Sequence, residues 1–328
     1  MNRHYIAFTT PETADIVTDS APTPKSGEVL IKVSHAGINR ADMLQRLGLY
    51  PPPEDASPIP GLEVAGEVIA VGAECVHLQK GDRVCALTHG GGYASVARAR
   101  EDHCLSLPET LTYEQGAALP EALLTVWYNV FERGQLAEGE TVLIHGGSSG
   151  IGSIGVQMAR VMGSIVLSTA GSAERCEAVR ALGARFAANH REENLSAQFK
   201  SAGFAGQVDV ILDIAGGDLL QINLDLAAPD GRIVCIGAMR GMQSEINLAT
   251  LFMKRLTLTG STLRRLETTE RARCFNAIRD HIWPRVVAGD ICPIVDKVYP
   301  LNKVLDAHEH MRLGTHFGKL VLNCQIGQ

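Results

Sequence analysis

Hydrophobic and polar positions follow two different rhythms along this chain. Up to about residue 120, short apolar or alternating runs at 28–36, 62–71 and 83–87 are set apart by turn signals such as Lys80-Gly81-Asp82. That spacing predicts β-strands in a β-rich partial barrel. The proline-rich segment YPPPEDASPIPG, residues 50–61, predicts a stiff loop without regular structure leading into a strand at Glu63. From about Pro120 the rhythm changes. Buried-type runs at 141–145, 164–170, 208–216, 232–238 and 256–263 alternate with stretches of helical spacing such as 173–182. Alternating β and α units predict a parallel, doubly wound α/β sheet with right-handed crossovers. After Leu263 the pattern predicts a helix over about 268–288, a strand over 294–299, a short helix near 303–311 and a final strand at 318–323. That strand is too far along the chain to extend the nucleotide unit simply, so it is expected to return to the first domain. The expected division is 1–120, completed by 265–328, and 121–264.

One segment carries chemistry. HGGSSGIGSIGVQMA, residues 145–159, follows the predicted strand TVLIH and opens a helical stretch with no proline until Pro229. Gly150, Gly152 and Gly155 read G-x-G-x-x-G, and strand, glycine turn and helix are the context a Rossmann dinucleotide site requires. Gly150 is expected to allow the tight turn, Gly152 the approach of a pyrophosphate, and Gly155 close helix–strand packing. Backbone N–H groups of Ser148, Ser149, Gly150, Ile151 and Gly152 would hold the phosphates with the positive end of the helix dipole. The next strand ends Ser168-Thr169-Ala170-Gly171-Ser172, without the carboxylate that binds ribose hydroxyls in NAD-specific sites. Ser172 and Arg175 suit a 2′-phosphate instead, which predicts NADPH over NADH. The plainer alternative makes Ser172 a helix cap and Arg175 a solvated charge.

Composition narrows the remaining possibilities. Of 328 residues 45% are hydrophobic and 20% charged, the balance of a globular protein, and that length favours two domains. The net charge of −6, without a basic cluster, argues against nucleic acid. No apolar run predicts a membrane span, and the first residues lack the pattern of a secretory leader, so a cytoplasmic protein is expected. The eight cysteines are all more than four residues apart, which excludes zinc-ribbon and redox-pair spacing and predicts free thiols. His145 and His190 stand singly, a poor start for a metal site.

GINRADMLQRLGLYPPP, GLEVAGEV, GDRV, ALPEALLTVW, the glycine loop and FGKLVLN, taken in this order, resemble the zinc-free quinone oxidoreductases of the medium-chain dehydrogenase/reductase superfamily. That group includes zeta-crystallin and the tumour-suppressor-inducible NADPH quinone oxidoreductase branch, and the likeness spans nearly the whole chain. It implies a GroES-like first domain beside the Rossmann domain. Where related alcohol dehydrogenases carry zinc ligands, this chain reads Asn39-Arg40-Ala41 and Gly61-Leu62-Glu63. Without zinc to polarise a carbonyl, electrophilic acceptors are expected: quinones first, enones or enoyl compounds second. A low-turnover NADPH-binding role is a third reading. The resemblance places Asn39, Tyr50, Glu121 and Thr125 near the nicotinamide, with Tyr50, Asn39 and Thr125 as the catalytic set. It gives Gly171, His190, Gly217, Gly237, Ala238, Met239, Ser261, Thr262, Leu263 and Lys319 to the cofactor. Lys319 is equally readable as a strand-edge charge, and Tyr50 as a packing residue. The resemblance further implies a homodimer paired through 232–237 and 256–263.

Overall fold

The computed structural model describes residues 1–192 and 194–325. Its strands in chain order are β1 (Asn2–Thr10), β2 (Thr13–Ser20), β3 (Glu28–Gly37), β4 (Glu63–Val71), β5 (Arg83–Leu87), β6 (Val96–Arg100), β7 (Cys104–Ser106), β8 (Thr141–Ile144), β9 (Ile165–Ala170), β10 (Phe186–Asn189), β11 (Val208–Asp213), β12 (Ala227–Cys235), β13 (Thr257–Gly260), β14 (Val295–Pro300) and β15 (Lys319–Asn323). Internal contacts divide the chain into two units. One joins Met1–Leu124, Arg264–Val287 and Pro293–Gln328; the other joins Thr125–Leu263 and Ala288–Cys292. The division falls within the helix Pro120–Val126, a few residues beyond the change of rhythm in the sequence. Among the described residues, no helix is long and apolar enough to cross a membrane.

The second unit is a six-stranded parallel sheet of order β10-β9-β8-β11-β12-β13. This is the Rossmann order, in which the strand sequence reverses between β8 and β11 and leaves a crevice at the strands' C-terminal ends. β8 is buried along its whole length, so TVLI has no polar face to alternate. Leu143, Leu167, Ile211, Ile233 and Phe199 form part of one core. The run expected at 208–216 stops at Asp213, because its carboxylate accepts the N–H groups of Ala215 and Gly216 at 2.7 and 2.9 Å and turns the chain. The run expected at 256–263 shortens to β13, an edge strand whose residues are mostly exposed.

In the first unit the sheet runs β14-β15-β3-β4-β5-β7, with β6 also paired to β3. Its pairings are antiparallel except β14 with β15. β15 lies against β3, Val321 opposite Gly37, so the last strand does return to the first domain. Ile31, Val33, Val64, Val84, Tyr93 and Leu320 pack in its core. The hairpin β1–β2 was not foreseen: of β1 only Ile6 is fully buried, so the sequence there lacks a strong alternation. The helix expected over 268–288 is two, Thr268–His281 and Trp283–Val287. Pro284, which has no N–H, sits in the first turn of the second, where none is needed.

Candidate active site

The glycine loop is built as a capped helix start. Ser149 precedes the helix Gly150–Val161, and its Oγ accepts the N–H of Gly152 at 2.9 Å. The first-turn amides of Gly150 and Ile151 have no intrahelical acceptor. They are the donors a phosphate would use, at the positive end of a twelve-residue helix. One expectation needs correcting. Gly150 is already helical, and the turn residue is Gly146, at φ +69°. Gly152 is required by the loop itself, since a Cβ there would lie 2.1 Å from the Gly146 carbonyl oxygen. Gly155 does serve close packing: a Cβ would stand 3.1 Å from Ile144 and 3.3 Å from Val126.

Beneath the loop runs a directed chain of buried hydrogen bonds. The N–H of Gly146 donates to Thr169 Oγ1 at 3.1 Å, and that hydroxyl meets His145 Nδ1 at 3.2 Å. His145 Nε2 meets Asn223 Oδ1 at 2.7 Å, and Asn223 Nδ2 donates to Asp213 at 2.9 Å. The network assigns the proton to Nε2. Burial holds the His145 pKa below the usual histidine value, so the ring stays neutral. His145 therefore spans the ends of β8, β9 and β11.

At the end of β9 the structure gathers cations. A Cβ on Gly171 would lie 3.3 Å from Arg191 Nε and 3.4 Å from His190 Nε2. Burial, then the charges of Arg191, His145, Arg240 and Arg175, hold His190 below its ordinary pKa. Ser172 does cap the helix Ala173–Ala181, accepting the N–H of Arg175 at 3.2 Å. Glu174 lies beside it, its carboxylate lowered by its own amide and by the Ser172 hydroxyl. Arg191 joins His190 among the cations that the sequence offers a 2′-phosphate, whereas Arg240 and Glu174 were not selected from it. Arg240, held by Asp218 through bonds of 2.5 and 2.6 Å, reaches this group from a loop far along the chain. Gly217 lies under that loop, where a Cβ would meet the Arg240 carbonyl at 2.8 Å; Gly237 abuts Ile214, 2.4 Å in the same sense. Ala238 and Met239 follow β12 in exposed positions. Ser261, ahead of Thr262 and Leu263 after β13, donates to Asn129 Oδ1 at 2.7 Å, and Asn129 donates to the Thr125 carbonyl at 2.9 Å. Asn129 belongs to a π-helical segment, Trp127–Arg133, a widening common at functional sites.

The first unit holds a buried ionic cluster. Lys319 Nζ donates to Asn39 Oδ1 at 2.6 Å and pairs with Glu63. Asn39 Nδ2 donates to Glu63 Oε1 at 2.9 Å, and the N–H of Glu121 donates to Glu63 Oε2 at 3.0 Å. Burial alone would weaken the Lys319 ammonium, but Glu63, Glu121 and Asp42 outweigh it and hold its pKa above the usual lysine value. Lys319 is 4% exposed on an interior strand, so it is no edge charge. Asp42 accepts from the amides of Asn39 and Gly61 at 2.9 and 3.0 Å and from Tyr93 OH at 3.1 Å. Burial raises its pKa to about 6 despite those donors. His308 Nε2 meets the same phenol at 3.2 Å, and burial pushes its pKa down to about 3. In the same unit the Tyr50 ring lies under the Arg264 guanidinium at 5.5 Å.

Residues 25–123 match the family model of the alcohol dehydrogenase GroES-like domain, and 150–278 that of the zinc-binding dehydrogenases. The Mus musculus quinone oxidoreductase is 36% identical over 320 residues, covering 96% of this chain and 95% of that protein. The chain belongs to the quinone oxidoreductase family. Among solved structures, Escherichia coli quinone oxidoreductase complexed with NADPH is 28% identical with a TM-score of 0.83, covering 98% of this chain and all of that one. CurK enoyl reductase gives a TM-score of 0.83 at 25% identity, covering 98% of this chain and 99% of that one.

For this member of the family, the structure groups the sequence-selected residues unevenly. In the second unit the loop residues Ser148 to Gly152 lie together, as do Gly171, Ser172 and His190. In the first, Asn39 and Lys319 are bonded to each other, while Tyr50 lines a cleft with Arg264 and Arg271. Glu63 and Asp42, which no spacing rule singled out, are the groups that fix Asn39 at both its side chain and its amide.

Proposed function

We propose that this protein is an NADPH-dependent quinone oxidoreductase, reducing a quinone to its hydroquinone. The observation that carries the reading is the capped, glycine-built helix start at Ser149, set in a chain 36% identical over 96% of its length to a quinone oxidoreductase. NADPH supplies the hydride; a proton from solvent completes the reduction. Gly150 and Ile151 amides hold the pyrophosphate, while Ser172, Arg175, His190 and Arg191 take the 2′-phosphate. Gly217, Gly237, Ala238, Met239, Ser261, Thr262 and Leu263 border the remainder, and Thr125 is kept in place through Asn129. Asn39, its amide fixed by Lys319 and Glu63, presents a rigid polar edge to the reacting rings, and Lys319 acts through it. Tyr50 lines the acceptor pocket.

We propose a zinc-free reaction, because Asn39, Asp42 and Glu63 are engaged with Lys319, Tyr93 and backbone amides rather than left for a metal. Free thiols at all eight cysteines suit a cytoplasmic protein. A homodimer is supported by the β13 edge and by the exposed Leu248, Phe252 and Met253 beside it; a monomer mass in light scattering at all concentrations would remove it. Enone reduction is the second reading, favoured by the likeness to CurK enoyl reductase.

The deciding measurement is NADPH oxidation with a quinone panel, an enone and an enoyl thioester, repeated with Tyr50→Phe. A pocket-lining Tyr50 predicts a loss of only a few-fold with quinones. A loss on the order of 100-fold would mark the phenol as a required acid and sink the quinone mechanism. No turnover with any acceptor would leave an NADPH-binding protein.

A further inference from the structure

The cleft beside Tyr50, about 530 Å³, is lined by Pro52, Asp55, His89, Arg264, Glu267 and Arg271 among others. Its size suits a small molecule. Its charge is unusual for a quinone pocket. Arg264 and Arg271 are 7% and 5% exposed, and among the described residues neither has a carboxylate within ion-pair distance. Arg264 bonds only to neutral acceptors, the Tyr50 carbonyl at 3.3 Å and the Gln45 side chain. Arg271 bonds to the Arg264 carbonyl at 2.9 Å and to His89 Nδ1 at 3.2 Å. The Nε of each is buried without any partner. His89 turns its other nitrogen to Asp55, 3.1 Å away and largely exposed. Burial lowers the pKa of both guanidiniums, against the opposing charges of Asp42 for Arg264 and of Asp55 and Glu267 for Arg271. Two buried guanidiniums lining one cleft without an ion-pair partner call for an anion, and the planar guanidinium fork suits an oxyanion.

We propose that Arg264 and Arg271 form an oxyanion subsite, so that the preferred acceptor is a quinone bearing an acidic group such as a carboxylate. This rests on the reductase reading above. An acidic group seated between the two arginines holds the substrate ring against Tyr50. It also disfavours uncharged quinones, which bring no counter-charge to the two guanidiniums.

The test uses the full-length protein with NADPH and two acceptors that share one ring, a naphthoquinone carrying a carboxylate and the same ring carrying a carboxamide. The quantity read is the ratio of their kcat/KM values, which does not depend on how much of a preparation is folded. Wild type should favour the carboxylate, and Arg264→Gln and Arg271→Gln should each cut the ratio about tenfold or more. Arg271→Lys should recover part of it. A wild-type ratio near one, or a ratio unchanged in both variants, overturns the subsite while leaving quinone reduction standing. If neither quinone reacts but an enone does, the quinone reading falls. The ratio is then taken with an unsaturated keto acid and its amide, and a value near one overturns the subsite as well. A KM raised for NADPH and not for NADH, at constant ratio, gives the arginines to the cofactor's phosphate and overturns the subsite. If inorganic phosphate competes equally against both acceptors, the anion site is separate from substrate and the inference again fails.

Discussion

The two units build their proposed sites in opposite ways. In the second, the work falls to backbone: glycines that admit close approach, a serine cap and the amides of one helix turn, all within residues 146–155. In the first, it falls to side chains brought together across the chain, Asn39 to Lys319 being separated by 280 positions. A backbone site tolerates no added atom, whereas a side-chain site tolerates no missing partner. That contrast can be broken at definite places.

The largest effect is expected at Lys319. Lys319→Met removes the counter-charge of Glu63, which is fully buried, and leaves a carboxylate alone in the core. The change should destabilise the protein by about 3–5 kcal/mol, seen as a lowered urea midpoint. A loss below about 1 kcal/mol would mean that water reaches Glu63. The pair around Tyr93 gives the next effect. His308 has a folded pKa of about 3, below its unfolded value of 6.5, so the unfolded chain binds the extra proton and stability is lost as pH falls below 6.5. Asp42, raised to about 6 from 3.8, does the reverse: its contribution is full below 3.8 and lost as pH rises through 6. Relative to wild type, His308→Gln should thus gain stability between pH 6.5 and 4, by up to on the order of 4 kcal/mol. Asp42→Asn should lose it over the same interval. Parallel stability–pH curves for all three proteins would show that neither group titrates as described.

Gly152→Ala tests the backbone half. The added Cβ meets the Gly146 carbonyl and must displace the loop, so NADPH affinity should fall about a hundredfold while the first unit stays folded by circular dichroism. An ordinary Kd would mean that the loop yields freely. The smallest effects lie at the 2′-phosphate group. Arg191→Ala should reduce the NADPH/NADH preference about tenfold, and Glu174→Gln, by releasing the Ser172 hydroxyl from a carboxylate, should raise it a few-fold. If Glu174→Gln lowers the preference instead, Ser172 does not face phosphate.

The same contrast decides what could be read beforehand. Strand, glycine turn and helix are neighbours in sequence, so the Rossmann unit and its loop were legible from residues 141–161 alone. Even there the turn was assigned to Gly150 rather than Gly146, because the motif names glycines without their torsion angles. Arg240 was invisible, since it joins His190 only when β12 is laid beside β11. In the first unit Asn39 and Lys319 were drawn from family likeness, and nothing in their spacing indicated that they bond each other. Glu63 and Asp42 read as ordinary acids until folding removed their water. Arg264, in the short turn Leu263–Arg265, and Arg271, in the polar helix Thr268–His281, carry no motif that marks them as other than surface charges. Only the fold shows that they are not.

The placement of β15 has a consequence for how the molecule is made. On a ribosome the chain emerges in order, and the six-stranded sheet of the second unit can form as soon as β13 is out, with Ala288–Cys292 joining it soon after. The first unit cannot: β3 lacks one of its neighbours, and Glu63 its cation, until β15 has been synthesised. For the time needed to translate more than two hundred residues, the half-made sheet carries an open edge and a buried acid without a counterion. Chaperones and proteases are therefore expected to meet this protein through its N-terminal part. Interruptions of translation between Cys292 and Lys319 are expected to leave a folded second unit attached to an incomplete first unit, a target for degradation.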